Sequence, residues 1–347
     1  MIYSYSKLTD SRRSYNPAPW LSEIMSDQSL IFDGGDFVVL ESNSKKVGAG
    51  IRDIVSRYNI TNIKIDLSMN PVRLSDPRLT EALPWLNKIA PTTVLHTDYS
   101  IGNKLGPVYK FFPTIFWIYN TRYSEWAGVN GYEAGELKTR PLMCLNRQPR
   151  AHRILLFNEF HRRKLFEHCD YSFVFQISGV DSGYENHLLD PPDFAYFSNI
   201  IKLVPMLLPD EKLKYVTYIG DVSVNKHIYQ DCAVNLVTET TANMPWFSEK
   251  ICKPFVANQI PIILGPAGIN DYLKSIGLDM FEDLVPWRTW DNILDVQIKV
   301  KLIVQFVEKW LLSGTILQDY YNVIDRVRSN KTYFHSQDFR NKVMPTF

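Results

Sequence analysis

The feature that most limits how this chain folds is an alternation of short apolar runs with stretches of helical spacing, in two blocks. In the first block Asp36–Glu41 reads as a strand, and Val47–Tyr58 places Ile51, Ile54, Val55 and Tyr58 on one helical face. Ile63–Leu67, Thr93–His96 and Ile115–Tyr119 are further strand candidates. From Asn120 to Arg140 the periodicity stops and Gly128, Gly131 and Gly135 appear, the composition of a linker. The second block then begins. Leu142–Leu145, Tyr171–Ile177, Cys232–Thr238 and Ile260–Leu264 are strand-like. Ala151–Leu165, Phe247–Asn258, Gly268–Ile276 (closed by Gly277) and the long Asn292–Leu312 are helical. Strands separated by helices favour parallel sheets. The expectation is an α/β protein of two Rossmann-like domains facing a cleft, residues 1–140 and 141–347, with ligand outside the carboxyl ends of the strands.

Charge and cysteine usage narrow the function. Across 347 residues, 38 Lys+Arg stand against 37 Asp+Glu, a net charge of +1. That excludes general attraction to a polyanion as the main activity, although a local basic groove is compatible with it. Cys144, Cys169, Cys232 and Cys252 are far apart and contain no C-x-x-C, which fits a reducing, cytoplasmic setting. Residues 1–13 lack an apolar signal core, and no run reaches the roughly 20 apolar residues of a membrane span.

The richest segment is Asn235 to Pro266, NLVTETTANMPWFSEKICKPFVANQIPIILGP. A strand delivers Glu239 at its end; a loop with Trp246 follows; Ser248-Glu249-Lys250 then opens a helix. Helix starts attract phosphate, Lys250 adds a full positive charge, and a carboxylate such as Glu249 suits a ribose diol. The same pattern also describes a capping box with a surface ion pair.

This segment resembles the donor-binding motif of the α1,3-fucosyltransferase family. The order in that family is an acid after a strand, Thr/Ser-Glu-Lys about ten residues on, an apolar helix, and a strand ending in Gly-Pro. Here Glu239, Ser248-Glu249-Lys250, Ile260–Leu264 and Gly265-Pro266 fall in that order. The segment is also similar to glycosyltransferase-like proteins of large viruses and phages. The resemblance covers Leu142 to Asp283 and implies a GT-B glycosyltransferase. It would carry a nucleotide-sugar donor in the second domain and a glycan or other hydroxyl acceptor in the first, and would act with inversion. It also implies an Asn and a phosphate-reaching Arg in the turn after the second domain's first strand. Asn146 fits the first, and Arg147, Arg150 and Arg153 are candidates for the second. The following His161-Arg162-Arg163-Lys164 reads instead as a solvated basic surface.

Inverting transfer needs a carboxylate base. Asp98, just past a strand candidate, and Asp33 and Asp36 in FDGGD are the candidates, with Glu133 behind them; each also suits an ordinary turn. The chain lacks H-E-x-x-H, G-x-S-x-G, G-x-x-x-x-G-K-S/T and G-x-G-x-x-G. It lacks D-x-D as well, and its seven histidines have no metal-ligand spacing, so no metal or other cofactor is expected. Two alternatives remain: a virus-encoded transferase acting on modified DNA bases, and a non-catalytic sugar- or protein-binding module.

Overall fold

The computed structural model describes residues 2–4, 29–33, 45–66, 77–96, 98–100, 104, 109–111, 116, 137–146, 149–173, 190–203, 224 and 226–343. The chain divides into two compact units, one of Met1–Thr114 with Met344–Phe347, the other of Ile115–Val343.

The first unit is built on a five-stranded parallel sheet. Strands β1 (Ile2–Ser4), β2 (Ser29–Asp33), β3 (Asn62–Asp66), β4 (Thr92–His96) and β5 (Tyr109–Phe111) lie in chain order. Parallel neighbours need a crossover, and α1 (Lys45–Arg57) and α2 (Pro77–Leu86) provide two. Leu30, Phe32, Ile63, Ile65 and Val94 from the strands meet Ile51, Leu79, Ala82 and Leu86 from the helices in one core. The expected helix Val47–Tyr58 is α1, and the expected strands Ile63–Leu67 and Thr93–His96 are β3 and β4. Asp36–Glu41 lies outside the described residues.

The second unit carries four parallel strands: β6 (Arg140–Asn146), β7 (Asp170–Phe173), β8 (Cys232–Thr238) and β9 (Ile260–Leu264). Their order is β7-β6-β8-β9. After β6 the chain makes α3 (Ala151–Arg162), whose residues Ala151 to Phe160 are all buried. A helix apolar on one stripe would leave the other face wet; this one is covered all round. Next come α4 (Pro191–Ile200), capped by Asp190, and α5 (Lys226–Tyr229). A 3₁₀ turn at Glu249–Cys252 then runs into α6 (Lys253–Val256). After β9 come α7 (Ile269–Ser275) and the long α8 (Val296–Ser313). In α8 the Asp295 carboxylate accepts from the N–H groups of Gln297 and Ile298, and Gly314 at φ +70° ends the helix. Helices α9 (Ile316–Asn322), α10 (Ile324–Phe334) and α11 (Gln337–Val343) complete the unit. Mixed α/β architecture with parallel sheets is therefore present in both units.

Two expectations need correction. Phe116, expected in an extended run at Ile115–Tyr119, is helical and buried; the rest of that run lies outside the described residues. An aromatic run this short does not distinguish a buried turn of helix from a strand. Phe116 packs on Phe247, Phe334 and Phe339, at ring centroids 5.0, 6.4 and 5.7 Å away.

The His161–Lys164 run is a solvated basic face only in part: Arg162 and Lys164 are exposed, but both arginines are tied into ion pairs. Arg162 bonds Glu159 at 2.7 Å and Asp193 of α4 at 2.8 Å, and lies 4.1 Å over the Tyr196 ring. Arg163 bonds Glu159 at 3.2 Å and pairs with Glu308 of α8. The sequence shows four basic residues in a row; the two arginines share Glu159 of their own helix, while their other carboxylate partners, Asp193 and Glu308, come from elements farther along the chain. We expect Arg163→Ala to lower unfolding stability by about 1 kcal/mol, because a part-exposed network is worth little per pair. Urea titration reads this, and ligand affinity should not change with it.

Candidate functional site

In the second sheet β6 has β7 on one side and β8 on the other, so the strand order reverses at the β6–β8 pair. At such a reversal the connections leave in opposite directions and open a crevice at the carboxyl ends. Asn146 ends β6 and Thr238 ends β8, and the Thr238 hydroxyl donates to Asn146 Oδ1 at 2.5 Å. Asn146 Nδ2 donates to Cys144 Sγ at 3.3 Å. The first turn of α3 adds two buried donors. Arg153 Nη2 donates to the Glu239 carbonyl at 2.9 Å and the Thr238 carbonyl at 3.3 Å. His152 Nε2 lies 2.9 Å from the same Glu239 carbonyl, which assigns the proton to that nitrogen. Arg153, 3% exposed, thus grips the end of β8.

Glu239 has no exposed surface. Its Oε2 accepts from Thr240 N at 2.9 Å and Ser248 Oγ at 2.5 Å, and its Oε1 accepts from Ser248 N at 3.2 Å. The carboxylate thereby closes the ten-residue loop, residues 239–248, between β8 and the 3₁₀ turn. Ser248 also caps that turn, its Oγ accepting from Lys250 N at 3.4 Å. The two residues the lock presents are less buried. Lys250 Nζ bonds Glu249 Oε1 at 2.5 Å and Thr240 Oγ1 at 3.3 Å, and the two side chains keep 27% and 15% of their surface exposed. Burial pushes the Glu239 carboxyl above the ordinary carboxylate value, although Lys250 and the Ser248 and Thr240 hydrogen bonds pull it back. Burial acts upward on Glu249 too, but the Lys250 and Lys253 ammonium groups and the Lys250 bond outweigh it and hold Glu249 low. Environment alone gives these two neighbouring acids opposite tendencies.

Packing around the turn is close. A Cβ on Gly265, the first residue past β9, would stand 3.3 Å from Glu239 Cγ and 3.1 Å from Ile269 Cδ1, so any larger residue would have to push these side chains by a few tenths of an ångström. Phe247 sits under the turn between Phe116 and Tyr272, ring centroids 5.0 and 4.9 Å away. Beside it Trp246 is half-buried, and its Nε1 has no hydrogen-bond partner among the described residues.

The structure therefore brings together Asn146, Arg153, Glu239, Trp246, Ser248, Glu249 and Lys250 around the β6 and β8 ends. Arg150 is half-buried at the cap of α3, and its side chain does not cap the helix. Arg147, Asp36 and Glu133 lie outside the described residues. In the first unit Asp33 is the last residue of β2. Asp98 is half-buried, and its Oδ1 accepts from Ser100 N at 3.0 Å and Ser100 Oγ at 2.6 Å, a turn-forming arrangement. Among the described residues no group of three or more His, Cys, Asp or Glu could hold a metal ion. No helix among them is long and apolar enough to cross a membrane.

Residues not anticipated from sequence are His152, Asp291 and Lys299. Lys299 occupies a buried position in the stripe Val296, Lys299, Val300, Ile303 of α8. A lysine at a core position of an amphipathic helix was the legible signal. Burial pulls its amine down from the ordinary 10.5 to about 8, against the upward pull of Asp291.

No protein-family model matches the chain, and no curated protein matches it. Two solved structures are similar to it. One is a crystal structure of an alpha1,3-fucosyltransferase, at TM-score 0.35 and 10% identity over 90% of this chain and 92% of that one. The other is the spinosyn rhamnosyltransferase SpnG, at TM-score 0.35 and 10% identity over 93% of this chain and 75% of that one. Neither likeness is strong enough to carry a functional argument.

Ser248→Ala removes a cap and one of the bonds to a buried carboxylate, and should lower unfolding stability by about 1–3 kcal/mol in urea titration. Lys299 predicts a pH effect. Its folded value lies below its unfolded one, so between about pH 8 and 10.5 the unfolded chain holds a proton that the folded chain has released. Stability contributed by this residue therefore rises with pH across that window. Unfolding titrations of Lys299→Met should lack that rise.

Proposed function

We propose that the chain is a glycosyltransferase that binds a nucleotide-sugar at the Glu239–Lys250 turn. It moves the sugar to an acceptor hydroxyl with inversion and without a metal requirement. The observation that supports this best is the locked turn itself. A buried acid with no surface of its own fixes a loop at the carboxyl edge of a parallel sheet, where the order reverses, and presents a partly exposed ammonium and a largely buried carboxylate. The choice of a sugar rests on the resemblance of Glu239, Ser248-Glu249-Lys250 and Gly265-Pro266 to the fucosyltransferase donor motif.

In this reading Lys250 exchanges Glu249 for a diphosphate oxygen. As the bond from the anomeric carbon to phosphate breaks, negative charge gathers on the leaving diphosphate, and a fixed ammonium stabilises that charge more than the ground state. Glu249, released from Lys250 and still beside the Lys253 ammonium, accepts hydrogen bonds from the ribose hydroxyls. Arg150 and Arg147 are assigned to further phosphate contacts. Arg153, His152, Asn146 and Glu239 position the turn. The acceptor oxygen forms the new bond to the anomeric carbon, and its proton passes to a carboxylate, assigned to Asp98 with Asp33 and Asp36 as the alternatives.

Nucleoside diphosphates should raise the melting temperature with EDTA present. Lys250→Ala should weaken their binding about 10- to 150-fold, the loss of one charge-assisted contact of roughly 1.5–3 kcal/mol. Calorimetric titration showing wild-type affinity in Lys250→Ala would remove the donor turn from consideration. Asp98→Asn should keep that affinity while turnover falls by about 100- to 10,000-fold. Unchanged turnover would pass the role of base to Asp33 or Asp36.

A further inference from the structure

Lys299 is 2% exposed, inside the apolar stripe of α8. An ammonium there loses its hydration, and such a group persists only where fixed partners replace water. Its partners are two backbone carbonyls: Gly265 O at 2.9 Å and Asp291 O at 3.1 Å. Asp291 is itself fully buried. Its carboxylate accepts from Asn270 N at 3.0 Å, Asn270 Nδ2 at 2.7 Å and Asp271 N at 3.0 Å, and its carbonyl accepts from Gly268 N at 3.2 Å. Asp291 therefore anchors the start of α7, and Lys299 ties that anchor to the end of β9. The turn at 265–268 is held from both sides.

This turn lies against Glu239. Leu264 O accepts from Glu239 N at 2.9 Å, and Gly265 lies so close that a Cβ there would crowd the Glu239 side chain at 3.3 Å. Wherever the end of β9 sits, the Glu239 backbone and carboxylate follow; Thr240 and Ser248 bond that carboxylate, and Lys250 N in turn bonds Ser248 Oγ.

We propose that Lys299 is a positioning residue for the donor turn: by pinning the Gly265 carbonyl to Asp291, it fixes the edge of β9 against Glu239 and so sets the place of Ser248 and Lys250. The consequence for ligand binding rests on the donor-site reading; the positioning itself does not.

Hydrogen exchange on the unliganded, full-length protein tests the pin without any ligand. In Lys299→Met the amides of Thr240 and Ser248, both bonded to the Glu239 carboxylate, should exchange at least about tenfold faster relative to the central amides of β8. Equal acceleration everywhere would make Lys299 a general stabiliser and overturn the proposal, as would unchanged exchange at both amides. Gly265→Ala wedges the same contact with Lys299 intact and should expose the same two amides. It decides the question if Lys299→Met does not fold, and retained protection there also overturns the pin. Affinity for UDP and GDP, measured beside the exchange, should fall about tenfold in Lys299→Met, and wild-type affinity in that variant would count against the pin. If the wild-type protein binds neither nucleotide, the donor reading fails, and the exchange result alone judges Lys299.

Discussion

A carboxylate without exposed surface, Glu239, holds the candidate site in place. Three donors, from Thr240 and Ser248, converge on its two oxygens. Its own backbone is held from three directions: by Leu264 of β9, by His152 and by Arg153 of α3. Burying an acid costs free energy that only full hydrogen bonding offsets. The carboxylate finds its donors in its own loop, while the backbone partners come from β9 and α3 and meet Glu239 only when the sheet has formed, so the turn and the fold are coupled. The partly buried pair that the turn presents, Glu249 and Lys250, owes its place to this acid.

The same logic runs through the surroundings of the turn. Arg153, His152, Asn146, Asp291 and Lys299 are buried polar groups, each tied to backbone or to another side chain near the strand ends. A core of this kind favours one arrangement over many, since any slip in register would leave charges or carbonyls unpaired. Apolar packing supplies the remaining grip: Phe247 lies between Phe116 and Tyr272 beneath the loop.

Much of this was legible in the sequence. Cys232–Thr238 and Ile260–Leu264 are strands with the expected bounds, because continuous apolar runs of that length between turn residues leave little choice. The helices after β6 and β9 followed from apolar spacing. The grouping of Glu239 with Ser248-Glu249-Lys250 followed from their order along one strand-loop-helix passage. Other features depend on partners far along the chain. Arg162 and Arg163 looked like a basic face, because Asp193 and Glu308 lie 31 and 145 residues beyond the residues they pair with. Arg153 stood beside Arg147 and Arg150 as a candidate phosphate ligand, and the sequence does not reveal that its Nη2 reaches the Thr238 and Glu239 carbonyls, 85 and 86 residues on. Lys299 was invisible as part of the site because α8 is separated from Gly265 by an entire helix and loop.

The most direct test of the account is a crystal structure of the protein with a nucleoside diphosphate bound. The account predicts a phosphate oxygen within hydrogen-bonding distance of Lys250 Nζ, the Glu249–Lys250 pair opened, and Glu249 on the ribose hydroxyls, with the Glu239–Ser248 bonds unchanged. A nucleotide bound away from the β6 and β8 ends, with the Glu249–Lys250 pair still closed, would contradict it.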